Sequence, residues 1–328
     1  MPLVTLLATG GTIASRSDDA GGATAQDAGR ELVARLDLPA GVRVRVQDVF
    51  RVGGFRMTLD RVHTLARTVA SGLRDPDVDG VVVTHGTDTT EETAYFLDLF
   101  HADPRPVVVT GAQRAADAPD SDGPRNLTDA VTAAAAPVTR GLGVLIGFGG
   151  QLFPARGTRK THTLAADTFT NPAGGPLGWV HGRDVAVVTE PRRGPALALD
   201  AFDPAGVRVD IVPCYPDADA TALRACADAG ARGIVLEATG AGNASPAICA
   251  AVAELSAAGV VVVTSTRVAA GPVVAVYGDG GGVDLLAAGA VPSGLLRPSQ
   301  ARILLAALLG IHQDPAAVRH AFAERASG

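Results

Sequence analysis

The strongest constraint on the fold is a rhythm of short, almost purely apolar runs: Leu3–Ala8, Val42–Val46, Val81–Thr84, Val107–Thr110, Leu142–Ile146, Ile234–Glu237 and Val260–Thr264. Each is strand-length, and near-continuous rather than alternating hydrophobicity marks strands covered on both faces. Between them, Leu59–Leu73, Glu91–Phe100, Asn126–Ala135 and Ala220–Ala229 repeat apolar residues at three- and four-residue spacing, the pattern of helices with one apolar stripe. Strands alternating with such helices predict an α/β chain built on parallel sheets.

A chain of 328 residues is long enough for two domains at about 100–200 residues each. The rhythm weakens between Thr189 and Pro216, where Pro191, Pro195, Pro204, Pro213 and Pro216 interrupt it. The expected organisation is a larger N-terminal domain with a mainly parallel sheet (1–190), a linker (191–211) and a smaller C-terminal α/β domain (212–328) closed by a helix at Gln300–Leu309. Residues 15–30, small and polar without a period, read as a mobile loop.

Composition excludes several functions. A net charge of −6 with 47% hydrophobic residues fits neither a disordered tail nor a basic nucleic-acid binder. The start, MPLVTLLATGGT, lacks the basic leader of a signal peptide, and no apolar run approaches the roughly 18 residues that cross a bilayer. Cys214, Cys226 and Cys249 show neither a disulfide framework nor a zinc spacing. They read as buried thiols of a cytoplasmic protein without a structural metal.

In parallel sheets, ligands gather where strands end, which directs attention to the turns Thr9–Thr12, Thr84–Thr90 and Thr110–Arg114. In Thr9-Gly10-Gly11-Thr12 the glycines allow a tight turn that sets a hydroxyl beside backbone N–H groups. That suits a nucleophile next to an oxyanion hole, a phosphate cradle or a simple helix cap. GxGxxG and GxxxxGK[ST] are both missing, so nucleotide binding has little support. The second turn, Thr84-His85-Gly86-Thr87-Asp88-Thr89-Thr90-Glu91-Glu92, joins a hydroxyl to carboxylates; Asp88 and Glu91 could equally cap a helix.

Against 27 arginines the chain has one lysine, Lys160. Arginine keeps its proton under ordinary conditions, whereas an amine held by a carboxylate can act as a base toward a threonine hydroxyl. Lys160, Thr87 and Asp88 form such a set if folding brings residue 160 beneath the second turn.

These residues carry a resemblance. Thr9-Gly10-Gly11-Thr12-Ile13-Ala14, His85-Gly86-Thr87-Asp88-Thr89 with Glu91-Glu92, Gly111-Ala112-Gln113-Arg114, Ser121-Asp122-Gly123-Pro124-Arg125-Asn126-Leu127 and Arg159-Lys160-Thr161-His162 resemble, in order, the signatures of bacterial-type L-asparaginases. The resemblance implies two α/β domains, hydrolysis of the side-chain amide of asparagine through an acyl-enzyme, and no metal or organic cofactor. It makes Thr12 the primary nucleophile and Thr87, Asp88 and Lys160 the second catalytic set. Asp88 also takes the substrate's α-ammonium, with Gly11, Gly54, Phe55, Gly86, Ala112 and Gln113 lining the substrate site. It implies a homodimer or homotetramer with sites near subunit interfaces, Ser245 in Gly240-Ala241-Gly242-Asn243-Ala244-Ser245 being the inter-subunit contact. The partner is a small amino-acid amide, with no nucleic acid and no membrane.

The departures cluster around Thr12. The family's loop tyrosine is replaced, since no tyrosine precedes Tyr95 and Ala23 or Thr24 takes its place. The carboxylate-binding Ser-Gln pair falls on Gly54-Phe55, followed by Arg56, and the partner subunit's acid falls on Tyr277 or Gly278. Weaker contacts to the α-carboxylate imply a high KM or an altered substrate choice, with D-asparagine or a bulkier amide as candidates. The alternative is a catalytically weak ligand-binding or regulatory homologue that has lost the lid tyrosine. A glutamyl-tRNA amidotransferase subunit is disfavoured, because the first motif begins at residue 9 and the net charge offers no footprint for RNA. His85 and His162 read as hydrogen-bonded wall residues, Arg114 and Arg125 as partners of Asp117, Asp122 or Asp129, and Trp179 as packing within Leu177–Val180.

Overall fold

The computed structural model describes residues 1–17, 22–38 and 41–327. They fall into two compact units, Met1–Leu197 and Ala198–Gly328.

In the first unit, β1 (Leu3–Gly10) runs through a tight turn at Thr12–Ala14 into a small hairpin, β2 (Ser15–Ser17) and β3 (Ala23–Ala25). The chain continues as α1 (Gly29–Val33), β4 (Arg43–Val52), α2 (Leu59–Gly72), β5 (Gly80–Thr84), α3 (Thr90–Phe100), β6 (Val107–Thr110), α4 (Gly123–Ala135) and β7 (Val144–Phe148). It ends with β8 (Gln151–Pro154), the short pair β9 (Arg159–Lys160) and β10 (Phe169–Thr170), then β11 (Gly178–His181) and β12 (Asp184–Val187). Eight of these strands form one sheet in the order β12-β11-β8-β7-β6-β5-β1-β4. From β7 to β4 all pairings are parallel, while β8, β11 and β12 extend the sheet in antiparallel fashion.

The apolar runs account for this order. β1, β5, β6 and β7 are buried along their whole length, as strands with helices over both faces must be. β4, at the sheet edge, is only partly covered. Register then places the turns: Ala8 lies opposite Thr84 and Thr84 opposite Thr110, so the three strands end side by side.

In the second unit a four-stranded, wholly parallel sheet runs in sequence order through β13 (Val209–Pro213), β14 (Gly233–Ala238), β15 (Val261–Thr266) and β16 (Val291–Pro292). Its helices are α5 (Thr221–Asp228), α6 (Pro246–Ala257), α7 (Gly282–Ala287), α8 (Pro298–Ile311) and α9 (Pro315–Ser327). α8 is buried along most of its length, and α9 adds Val318 and Phe322 to this core. An α/β chain with a larger, mainly parallel N-terminal unit and a smaller C-terminal one is therefore what these residues build.

Several details differ from the sequence reading. Residues 15–30, read as a mobile loop, include the paired β2 and β3 and the first residues of α1; Asp18, Asp19, Ala20 and Gly21 lie outside the described residues. β13 forms within the proline-bearing stretch, and α9 follows the helix expected to close the chain. Trp179 is 44% exposed, because alternation along β11 turns its neighbour Val180 inward instead.

Candidate active site

Glycine brings the turns together. A Cβ on Gly11 would lie 2.4 Å from the Gly86 nitrogen, and one on Gly86 would lie 2.4 Å from the Gly54 nitrogen. No side chain fits between these backbones, so the segments after β1, β4 and β5 touch main chain to main chain. Gly11 also has φ +80°, a conformation that favours glycine. Thr89 secures the same junction, its hydroxyl donating to the Gly54 carbonyl at 2.7 Å. Both polar groups of Gly11 are used inside the fold: its N–H donates to Val52, and its carbonyl accepts from Ala14 and from the Ser15 hydroxyl.

The chain's one lysine lies against the second turn. Lys160 Nζ donates to Thr87 Oγ1 and to Asp88 Oδ1, each at 2.9 Å, with 16% of the lysine side chain and 53% of the aspartate exposed. Glu91, 8% exposed, receives the Lys160 backbone N–H at 2.7 Å and so anchors β9 to the start of α3. The N-cap residue of this helix, Thr89, makes no side-chain cap bond. Both carboxylates are directed to Lys160, one to its amine and one to its main chain. Glu91 is the residue that reading the motif as a capping box obscures.

Gln113 completes the set. Thr87 Oγ1 donates to Gln113 Oε1 at 3.0 Å, while Gln113 Nε2 donates to the carbonyls of Thr163 and Ala165, both at 3.2 Å. Behind it, Asp122 accepts the backbone N–H groups of Gln113 and Arg114, and Asn126 Nδ2 bridges Asp122 to the Gly111 carbonyl. The Ser121–Leu127 motif thus shapes the turn after β6. Arg114 pairs with Asp120 at 3.2 Å and Arg125 with Asp129 at 3.8 Å, so Asp122 serves main chain rather than arginine. Ala112 is fully buried beside this turn.

Thr12 is partly buried, and its hydroxyl makes no hydrogen bond to another described residue. Its turn is held from behind: Gln26 and Asp27 donate their N–H groups to the Ala14 carbonyl, and the Asp27 carboxylate receives Arg16 at 2.6 Å and Arg35 at 2.8 Å. On the third segment Gly54 is buried, whereas Phe55 is 76% exposed with its ring against Gly53. An open cleft of about 440 Å³ lies over the lysine, lined by Asp88, Glu91, Lys160, Thr161, His162 and Thr163.

His85 is a wall residue. Full burial holds its imidazole down to about 4, so the ring is neutral; Nδ1–H donates to the Gly86 carbonyl at 2.8 Å and Nε2 accepts from Thr93 at 3.0 Å. His162, by contrast, is exposed at the cleft rather than packed in a wall. In the second unit Ser245 caps α6, accepting the Ile248 N–H at 3.4 Å, and Tyr277 is 60% exposed. Burial pushes the Cys214 thiol up to about 11. Among the described residues no group of three or more His, Cys, Asp or Glu could hold a metal, and no helix is long and apolar enough to cross a membrane.

Comparison with known proteins matches this arrangement from end to end. Residues 3–193 match the asparaginase N-terminal family model, and residues 208–322 match that of the glutaminase/asparaginase C-terminal domain. The chain is 36% identical to an L-asparaginase of Bacillus licheniformis, over 95% of this chain and 96% of that protein. It is 37% identical to a probable L-asparaginase of Deinococcus radiodurans, over 99% of this chain and 98% of the relative. The crystal structure of a probable cytoplasmic L-asparaginase from Campylobacter jejuni aligns with a TM-score of 0.85 at 31% identity, covering 98% of this chain and 99% of that one. A full-length match in sequence and in structure, over both units, makes the chain a member of the asparaginase family.

Proposed function

We propose that the chain hydrolyses the side-chain amide of L-asparagine or a close analogue through an ester formed on Thr12. The observation that carries this reading is Lys160 Nζ at 2.9 Å from both Thr87 Oγ1 and Asp88 Oδ1, the chain's one lysine placed on a hydroxyl and a carboxylate at the end of a buried strand. A purely structural ion pair has no need of the hydroxyl.

Asp88 gives one oxygen to Lys160 and keeps the other for a cation, which suits the α-ammonium of a free amino acid. The Thr12 hydroxyl attacks the amide carbon; the C–N bond breaks and the threonine proton leaves with ammonia, so the product is an ester and NH3. Water then attacks the ester carbon, the bond from that carbon to the Thr12 oxygen breaks, and the water's proton ends on the Thr12 oxygen, relayed by the Lys160–Thr87 pair, so the acid departs and Thr12 is restored. The reading extends to a cytoplasmic location, in keeping with the probable cytoplasmic relative, and to a homodimer or homotetramer.

The test is ammonia release from L-asparagine, D-asparagine, L-glutamine and a β-substituted aspartyl amide. Lys160→Met is expected to lower kcat by about 100- to 10,000-fold, the range of a general acid–base group. Thr12→Ala is expected to remove turnover together with any covalent adduct found by mass spectrometry. A Lys160→Met enzyme as fast as the parent refutes the assignment. A parent that releases no ammonia yet is stabilised thermally by asparagine is a binding protein instead.

A further inference from the structure

We infer that His162 is a positioning residue: its imidazole folds the turn that sets the orientation of the Gln113 amide, and through it the direction of the Thr87 O–H bond. The inference rests on the reading of Thr87 and Lys160 as the proton-transfer pair.

His162 Nδ1 accepts the backbone N–H of Leu164 at 3.0 Å and of Ala165 at 2.9 Å. These are the donors two and three residues on, the ones an asparagine or aspartate takes in an Asx-type turn. A ring nitrogen that accepts two N–H groups carries no proton, so the hydrogen sits on Nε2. The turn so formed presents the Thr163 and Ala165 carbonyls to Gln113 Nε2, at 3.2 Å each. With both amide protons spent there, Gln113 offers only its oxygen to Thr87, which donates to it at 3.0 Å. Thr87 Oγ1 then has a lone pair, not its proton, toward Lys160 Nζ at 2.9 Å. Proton direction is thereby set along Lys160, Thr87 and Gln113 by a side chain that touches none of the three in this relay.

A proton on His162 Nδ1 would turn the acceptor into a donor facing two N–H groups. The turn loses both bonds, Gln113 loses the carbonyls that hold its nitrogen, and its amide is free to reverse and offer N–H to Thr87. The charged groups sharing the cleft with His162 are Asp88, Glu91 and Lys160, with Asp88 paired to Lys160 at 2.9 Å, and Asp167 follows in the same segment. Because the ring is exposed, solvent protons reach it directly.

The experiment compares the full chain with His162→Asn and His162→Ala. Asparagine keeps an acceptor for the same two N–H groups and does not titrate; alanine removes it. His162→Ala is expected to lower kcat by about 10- to 100-fold with a smaller change in KM, the cost of a misplaced catalytic group. His162→Asn should recover most of that rate. In the parent, kcat should fall on acidification, and this acid limb should be missing in His162→Asn. An alanine variant with the parent's kcat overturns the inference, as does an acid limb that persists unchanged in His162→Asn. Should His162→Ala fail to fold, the pH profile of His162→Asn decides alone. Full activity in Lys160→Met would instead defeat the underlying assignment of the pair, so the two failures are distinguishable.

Discussion

Position 54 shows how one missing side chain can be a requirement. By the sequence resemblance the family's carboxylate-binding serine would stand at Gly54, where a Cβ would lie 2.7 Å from the Gly86 carbonyl oxygen. Restoring the serine pushes two backbones apart at the centre of the site. Gly54→Ser is therefore expected to cost about 1–3 kcal/mol of stability, as overpacking does. It should leave KM for asparagine no lower, as read by urea unfolding and steady-state kinetics. A serine variant of unchanged stability with a reduced KM contradicts the packing argument. At this scale the motif residues were visible in the sequence because glycine, threonine and a single lysine are distinctive. Their contacts were not, because Lys160 and Thr87 are 73 residues apart, one on β9 and the other in the turn after β5, and meet only once β9 is anchored on the start of α3.

Among the elements, the β2–β3 hairpin matters most to Thr12, since its base is tied to the turn through the Ala14 carbonyl. Asp27 is the tie's centre, 4% exposed in its side chain between Arg16 and Arg35, which are 41% and 33% exposed. Asp27→Asn keeps the shape and removes the charge. It should lower stability by about 1–3 kcal/mol, the cost of a charged hydrogen-bonded partner lost from a half-solvated pair. It should also reduce kcat more than KM, because the turn bearing Thr12 loses its backing. Parent-like unfolding and kinetics together would show that the hairpin is held elsewhere. Sequence periodicity found β1, β5, β6 and β7, which are uniformly apolar, but not β8, β11 and β12. These antiparallel strands are four residues each, with β11 and β12 alternating, and the Gly149–Gly150 pair that turns β7 into β8, with φ of +59° and +75°, was the available signal.

For the whole molecule, the proposed assembly makes a distinct prediction. If sites are completed across subunits, specific activity should fall as the protein is diluted through its dissociation range, with sedimentation recording the loss of dimer or tetramer in step. Constant specific activity in a monomer shows that one chain suffices. The division into two α/β units was legible because the strand rhythm lapses between them, yet β13 forms within the lapse. Five prolines in that stretch masked a strand in which one of them, Pro213, is the last residue. The scarcity of lysine has a further consequence, for handling the protein. Apart from the amino terminus, Lys160 carries the chain's one primary amine, and its side chain is 16% exposed in the cleft. Amine-reactive dyes, polymers and solid supports, which attach to most enzymes at random over the surface, therefore have a single internal address here, beside Thr87 and Asp88. Coupling chemistry aimed at another group, or an introduced surface lysine, is the route to an immobilised form that keeps its site open.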